Sequence, residues 1–454
     1  MWKLSNGVTH MNGKGEKKSI NTNFLLFLGG RIVSDTGTSI QMMIMPLYII
    51  DMGGSASTIG LFAFLSLLPA LLVYPFAGVM GDRINRKKIM VATDMVSGGV
   101  IAGLGLMSHW GRMTLPLLLA VQAVISLLNG LFEPATRGML PQLVDKGELT
   151  RYNARVATAR SGSVLIGPII GAALYAHVGV TMVFFVNGIS FLMSGISETM
   201  IRYTHLQQNA PEGVKGMMHD LLEGIKFVVN NHLIRKLSYF LLVIYFVIQP
   251  VFSVMLPLFF KGSLAYSDAH YGYLQTVIIA GALLGSILAG SLFGKKDKKD
   301  KKDKKDKKDK KDKKEKKEKV TDPLIAGCTL LLSAMLLFSI LLFPSSLTLL
   351  GNDTLLYFIL LAGVLGLFSG GAMFVSIPVQ SRIQQATPNE YMSRVFSLVG
   401  MISRGGIPLG ALLFGLILER VAMHWTVLVT TILLTLIMVI FLYLNHVGEM
   451  TGKT

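Results

Sequence analysis

Twelve long apolar runs, with little chain between them, leave this sequence few folds to choose from. They cover about residues 24–50, 57–80, 89–108, 114–138, 154–177, 181–201, 237–260, 270–294, 322–343, 353–380, 393–418 and 423–446. A helix needs about 20 apolar residues to cross the hydrocarbon of a bilayer, so each run is long enough. Lipid offers the backbone no hydrogen bonds, so the runs are read as helices that satisfy their own. The composition agrees: of 454 residues, 52% are hydrophobic and 15% charged, and the mean hydropathy is +0.56. The expected fold is an all-α membrane protein with twelve transmembrane helices. The opening residues, MWKLSNGVTHMNGKGEKK, are polar, so no cleavable signal is expected before the first run.

Charge sets the orientation. Lys and Arg collect in the N-terminal tail and in 83–88, 146–155, 202–236 and 295–319, whereas the opposite loops hold only Arg112 and Lys261. The positive-inside rule then makes the basic loops and both termini cytoplasmic, in a cell membrane. The expected organisation is a tail (1–22), a first six-helix half (23–201), a central loop (202–236), a second half (237–447) and a tail (448–454). Within the central loop, Val214, Met217, Met218, Leu221, Leu222, Ile225, Val228 and Val229 share one helix face. That segment is too polar to span, and suits the membrane surface. Cys328 is the single cysteine, which excludes a disulfide framework within one chain and a cysteine-based metal site. No cofactor is expected.

The halves repeat each other. Gly60, Ala70-Leu71-Leu72 and Ala77-Gly78 recur as Gly272, Ala282-Leu283-Leu284 and Ala289-Gly290. Tyr152, Arg155, Val156, Gly167, Gly171, Ala172 and Leu174 recur as Tyr391, Arg394, Val395, Gly406, Gly410, Ala411 and Leu413. Each block keeps a constant offset, and the second offset is larger by the length of an insertion. Residues 295–319, a run of KKD and KKE repeats, fall in that interval and replace the second copy of the 81–88 turn. Two registers with one consistent insertion point to pseudo-symmetric halves, a common transporter plan. The tract itself reads as a solvated cytoplasmic insert, helical through acid–Lys pairs or unstructured. Attraction to anionic lipid is the sharper reading. No aromatic residue interleaves the lysines, so nucleic acid is not an expected partner.

Charged residues inside spans are costly, and by default they face a cavity or a partner. Arg31 and Asp35 lie four apart on the first helix, Asp35 near mid-span. Asp35 is the first candidate for proton coupling, with an ion pair to Arg31 or Arg160 as the structural alternative. Asp94, Glu133, Arg137 and Glu198 lie toward the cytoplasmic ends of their helices. Glu133 and Glu198 are secondary proton candidates, for which solvation at the interface is the plainer reading. Asp94 and Arg137 are expected to join Asp82 and Arg83 in a cytoplasmic gate, with Asp82 opening the third helix. The second half has no acid near mid-span and offers Arg404, Gln249, Gln275 and Gln380.

Two motifs carry a family resemblance. Gly78-Val-Met-Gly-Asp82-Arg83-Ile-Asn85-Arg86-Lys87-Lys88 lies between the second and third spans. It resembles the Gly-x-x-x-Asp-Arg-x-Gly-Arg-Lys turn of the major facilitator superfamily, with Asn85 in place of Gly. Asn tolerates left-handed backbone better than most residues, which makes the change mild. The fifth span carries Gly162, Gly167-Pro168 and Gly171, similar to the helix-5 signature of proton-driven exporters of that superfamily. FEPATRGMLPQLV (132–144), RYNARVATAR (151–160), EGIKFVVNNHLIRKL (223–237) and ATPNEYMSRVFS (386–397) resemble the macrolide-efflux branch. That branch also includes siderophore and lysophospholipid carriers.

The resemblance implies a monomeric drug:proton antiporter with a substrate site between the halves. Phe62, Tyr245, Phe246, Gln249, Gln275, Tyr357 and Met373 are plausible lining residues for an amphipathic substrate, with lipid-facing or packing roles as the plainer reading of most such side chains. A lysophospholipid or siderophore carrier is the alternative within the fold, and a non-transporting receptor or scaffold the alternative outside it. No Walker A segment, zincin motif or nucleophile elbow is present, so no enzyme activity is expected.

Overall fold

A computed structural model describes residues 13–144, 148–203, 213–306, 321–388 and 392–451. It is helical throughout those segments. The first half comprises α1 (Gly13–Asp51), α2 (Ala56–Arg83), α3 (Arg86–His109), α4 (Leu115–Leu143), α5 (Leu149–Val178) and α6 (Val180–Thr199). Helix α7 (Gly213–Asn230) occupies the central segment. The second half comprises α8 (His232–Pro250), α9 (Leu256–Ser263), α10 (Asp268–Asp306), α11 (Thr321–Leu341), α12 (Pro344–Leu350), α13 (Leu355–Ala386), α14 (Met392–Leu418) and α15 (Met423–Thr451). Eleven of the described segments are apolar and long enough to cross a membrane, and α8 with α9 counts as one. With α1, which carries Arg31 and Asp35, they give twelve helices in two halves.

Short polar residues set where the helices start. Ser55, Thr114, Asn231 and Thr354 each accept a hydrogen bond from the backbone N–H three residues on. Such caps satisfy amide groups that a helix start leaves without partners. Asn85 does the same for α3, accepting from the Lys87 N–H at 3.0 Å. Two expectations about this turn are corrected. Asn85 has φ −55°, so the turn needs no left-handed residue. Asp82 belongs to the last turn of α2 rather than the start of α3, because α2 continues to Arg83.

Within the first half, α3 packs on α6, α1 on α5 and α6, and α2 on α4. In the second half, α10 and α11 pack on α13, and α8 packs on α14. The halves meet through α2 with α14 and α5 with α10, and α7 lies against α14 and α8. The seventh span is interrupted: Pro250 lies in its interior, and Val251–Met255 form a π-helical turn between α8 and α9. Such wide turns are frequent at functional sites. The turn puts Phe252 and Ser253 on the interior of the molecule.

Helix α10 runs beyond its apolar part into the lysine tract, as far as Asp306. The rest of the tract lies outside the described residues. Replacing 295–319 by a short Gly/Ser linker is expected to leave insertion and transport unchanged, since the repeats on either side register without it. Loss of transport in a well-inserted deletion would make the tract part of the machine.

Candidate functional site

A cavity of about 410 Å³ lies between the halves. Helix α1 contributes Asp35, Thr38, Ser39, Met42, Met43 and Pro46 to its wall, and α5 contributes Arg160, Val164 and Pro168. Phe62 and Ala63 of α2, Phe252 and Ser253 of the π-turn, and Tyr271, Gln275 and Ile279 of α10 complete it. The surface is apolar and aromatic, with one carboxylate, one guanidinium and a few hydroxyls.

Asp35 and Arg160 belong to a charge cluster centred on a different residue. Glu133 of α4 receives three cations: Arg137 Nη2 and Arg160 Nη1 at 3.0 Å on Oε1, and Arg31 Nη2 at 3.4 Å on Oε2. Arg31 also reaches Asp35 Oδ1 at 3.3 Å, and its guanidinium lies 5.1 Å from the centre of the Phe132 ring. Arg31 is buried, whereas Arg137 and Arg160 are largely exposed. The i,i+4 spacing on α1 accounts for the Arg31–Asp35 pair. Arg160 pairs with Glu133 rather than Asp35. Glu133 is therefore no solvated interfacial acid but the hub of the cluster. Tyr74 of α2 is near enough to the same cluster, and to exposed Arg404 of the second half, for their charges to bear on its hydroxyl.

The expected gate is rearranged. Arg137 turns to Glu133, and Asp94 lies buried against α6 beside Ser194 and Glu198. The surroundings of Gly78 and the side chains of Asp82 and Arg83 fall outside the described set. The two other motif cations hold the first half together. Lys87 donates to the carbonyls of Thr199 (2.7 Å) and Ile201 (2.8 Å) at the end of α6, where unpaired carbonyls and the helix dipole favour a cation. Arg86 donates to the Gly138 carbonyl of α4.

In the helix-5 motif, a Cβ on Gly167 would strike the Ser39 side chain, and one on Gly171 would come within 3.1 Å of the Ile40 carbonyl. These glycines bring α5 close to α1. Gly162 has open space around it. Pro168 lines the cavity, and its carbonyl abuts α10 at Gly272.

Of the seven proposed lining residues, Phe62 and Gln275 are in the cavity wall. The others are corrected. Tyr357 is fully buried and donates to the Leu341 carbonyl at 2.8 Å. Tyr245 and Phe246 pack against the core, with Phe246 beside Phe414. Gln249 and Met373 are half-buried away from the lining set.

The cavity is closed at the end opposite the α2–α3 turn. There Gly60 of α2 abuts Ala411 and Gly415 of α14, and Gly272 of α10 abuts Ala172 and Pro168 of α5. The sequence repeat pairs Gly60 with Gly272 and Ala172 with Ala411, so the two contacts are pseudo-symmetric copies. An ion network lies over them. Lys261 of α9 reaches Asp51 of α1 at 3.1 Å and Asp268 of α10 at 2.8 Å, and the Tyr175 hydroxyl donates to Asp51. Lys261 entered the sequence reading only as a lone cation in an opposite loop. Its isolation there was the available signal.

Lys261→Met would leave Asp51 and Asp268 facing each other. Partly exposed pairs of this kind contribute about 1 kcal/mol, which corresponds to roughly a fivefold shift toward opening of this end. The check is labelling of Ser253→Cys with a membrane-impermeant maleimide, in a chain whose one native thiol, Cys328, is buried. The rate should rise about that much, and an unchanged rate would remove Lys261 from the seal.

Comparison with known proteins agrees with this architecture. The family model described as Major Facilitator Superfamily matches residues 27–302, and one described as Vacuole effluxer Atg22 like matches 176–450. Macrolide efflux protein A of Streptococcus pyogenes is 23% identical over 92% of this chain and 94% of its own length. The multidrug efflux pump Tap of Mycobacterium tuberculosis is 25% identical over 58% of this chain and 64% of its own length. The crystal structure of the nucleoside transporter NupG superposes with a TM-score of 0.71 at 10% identity, covering 93% of this chain and 98% of that one. That last likeness is one of fold. On the family match, the repeated six-helix halves and the cavity between them, the chain belongs to the major facilitator superfamily.

Proposed function

We propose that this protein is a drug-efflux transporter that exports amphipathic, macrolide-like molecules in exchange for protons by alternating access. One observation carries the reading: the cavity joins an apolar wall of Met42, Met43, Phe62, Phe252 and Tyr271 to the Asp35–Arg160 edge of the charge cluster centred on Glu133. Its volume is in the range of pockets that hold drug-sized ligands. The apolar wall suits ligands of varied shape, because Met and aromatic side chains adapt their contacts. Asp35 can exchange protons with water in the cavity, and Arg31 can pass between Asp35 and Glu133 as either carboxylate is neutralised. A substrate cation or dipole entering beside Asp35 competes with that proton, which is the requirement for exchange.

The basic loops support a cell-membrane orientation with both termini and the α2–α3 turn in the cytoplasm. The closed end then faces outward, and the molecule is in an inward-facing state. The part of the lysine tract next to α10 would lie at the anionic cytoplasmic leaflet, where about 1 kcal/mol per Lys favours contact. A monomer contains the whole cavity and is the expected working unit. The names of the efflux relatives support the substrate class.

The test is retention of a panel of macrolides, dyes, siderophores and lysolipids in cells expressing the protein, with and without an uncoupler. Macrolides should be retained less, and the difference should vanish with the proton gradient. Retention lowered for lysolipids alone would replace the drug reading with a lipid one.

A further inference from the structure

We propose that Asp94, Ser194 and Glu198 form a closed proton-binding site, in which the two carboxyl groups share one proton. Asp94 lies on α3 and Glu198 on α6, and each is 1% exposed. Ser194, one turn before Glu198, is fully buried. Asp94 Oδ2, Ser194 Oγ and Glu198 Oε2 have no partner in good hydrogen-bond geometry among the described residues, while the Ser194 hydroxyl lies near enough to the Asp94 carboxylate to interact with it. Buried polar atoms are rarely left so, and three on facing helices call for a bound proton, water or ion to explain them. Helix α1 completes the enclosure: a Cβ on Gly30 would come within 3.1 Å of Ser194 Oγ.

The chemistry selects a proton. Two neighbouring carboxylates out of water do not both stay charged, because each raises the cost of ionising the other. One proton makes an O–H on one carboxyl group and leaves the other to accept it, and the serine hydroxyl can bridge them. Hard metal ions take six or more oxygens, and three free oxygens are too few. Among the described residues no three His, Cys, Asp or Glu side chains converge as metal ligands.

The surrounding charges agree. Asp94 abuts α6 between Ser194 and Glu198, where a Cβ on Gly195 would lie 3.4 Å from the Asp94 Cβ, and Arg31 and Asp35 of α1 are the charges that bear on the pair. The neighbouring α4 and α5 cations are engaged by Glu133. Three arginines, Arg31, Arg137 and Arg160, therefore face four acids, Asp35, Glu133, Asp94 and Glu198. One proton on the closed pair balances the region. If that proton leaves, Arg31 is the cation placed to answer the new charge, and it must do so at the expense of Asp35 and Glu133. Occupancy of the closed pair and of the cavity carboxylates is linked through Arg31. The inference deepens the proton-coupled reading and rests on it for its role in transport, but not for the bound proton itself.

The test needs no transport. Infrared spectra of the full chain in lipid vesicles, in H₂O and D₂O at neutral pH, read protonated carboxyl groups through their C=O stretch. Wild type should show such a band, slow to shift in D₂O. The band should be lost in Asp94→Asn and in Glu198→Gln, and weakened but not lost in Asp35→Asn, which frees Arg31 to answer charge on the pair. Absence of the band in wild type overturns the proposal even if a variant fails to fold. So does its survival in both amide variants. A sodium-dependent rise in wild-type melting temperature at fixed pH, lost in the same variants, would assign the site to sodium and also overturn it. Export that proves independent of protons while the band behaves as stated would sink the transport reading alone.

Discussion

Gly60→Leu and Gly272→Leu are each expected to abolish transport while leaving the protein inserted and folded. At both positions the obstacle is chiefly main chain or a short side chain, not a flexible side chain that could swing away. A Cβ on Gly60 would lie 2.5 Å from the Ala411 carbonyl oxygen. One on Gly272 would lie 2.4 Å from the Ala172 methyl and 2.7 Å from the Pro168 carbonyl oxygen. Packed helices do not yield to such overlap, and overpacking commonly costs about 1–3 kcal/mol. Under the proposed alternating access the strain falls on one conformation, because opening this end would part the halves at these points. The mutants should therefore be held open at the end opposite the α2–α3 turn. Ser253→Cys in either background should label rapidly from outside, and substrate export should fall to that of empty cells. Protected label together with normal export would show that the glycines are packing detail and not the seal.

Glu133→Gln should have the second largest effect. The change leaves Arg137 and Arg160 without their carboxylate and Arg31 with Asp35 alone. Breaking a buried pair by removing one partner costs about 3–5 kcal/mol. Arg137 and Arg160 reach water and Arg31 keeps one partner, so a loss of about 1–3 kcal/mol is expected. Uphill export should disappear, because Arg31 is no longer divided between two carboxylates and holds Asp35 charged. Glu133→Asp should keep part of both stability and export. The check is melting temperature in detergent beside efflux from vesicles. An unchanged melting temperature with full export would remove Glu133 from the centre of the cluster.

Much of the architecture was legible in the sequence, for physical reasons. Span number follows from hydropathy because lipid imposes one solution on the backbone. The Arg31–Asp35 contact follows from helical spacing. The repeat gave the pairing of Gly60 with Gly272 and of Ala172 with Ala411, and it became interpretable once each glycine was seen against the other half's alanine. What the sequence could not supply is which side of an apolar helix faces inward. Tyr357 and Phe246 looked like cavity residues, but every face of such a helix is apolar, and periodicity cannot separate packing from lining. Glu133 lies 102 positions from Arg31, and nothing local announces their contact. The place of Asp94 toward the cytoplasmic end of its helix points to the gate, whereas the α3–α6 packing carries it to Glu198. Pro250 goes unremarked within the apolar run 237–260, and the π-turn after it, which places Phe252 and Ser253 on the cavity, depends on how the freed backbone groups rearrange.

The central claim is that substrate leaves through this cavity in exchange for protons bound at Asp35. Purified protein in vesicles with a trapped pH dye tests it most directly. Adding a macrolide to wild type, with no imposed gradient, should move protons opposite to the drug in a fixed ratio. Asp35→Asn, which mimics the protonated carboxyl group, should still exchange labelled drug across the membrane yet move no protons. Drug movement by wild type without any proton movement, or proton movement that persists in Asp35→Asn, would contradict the account.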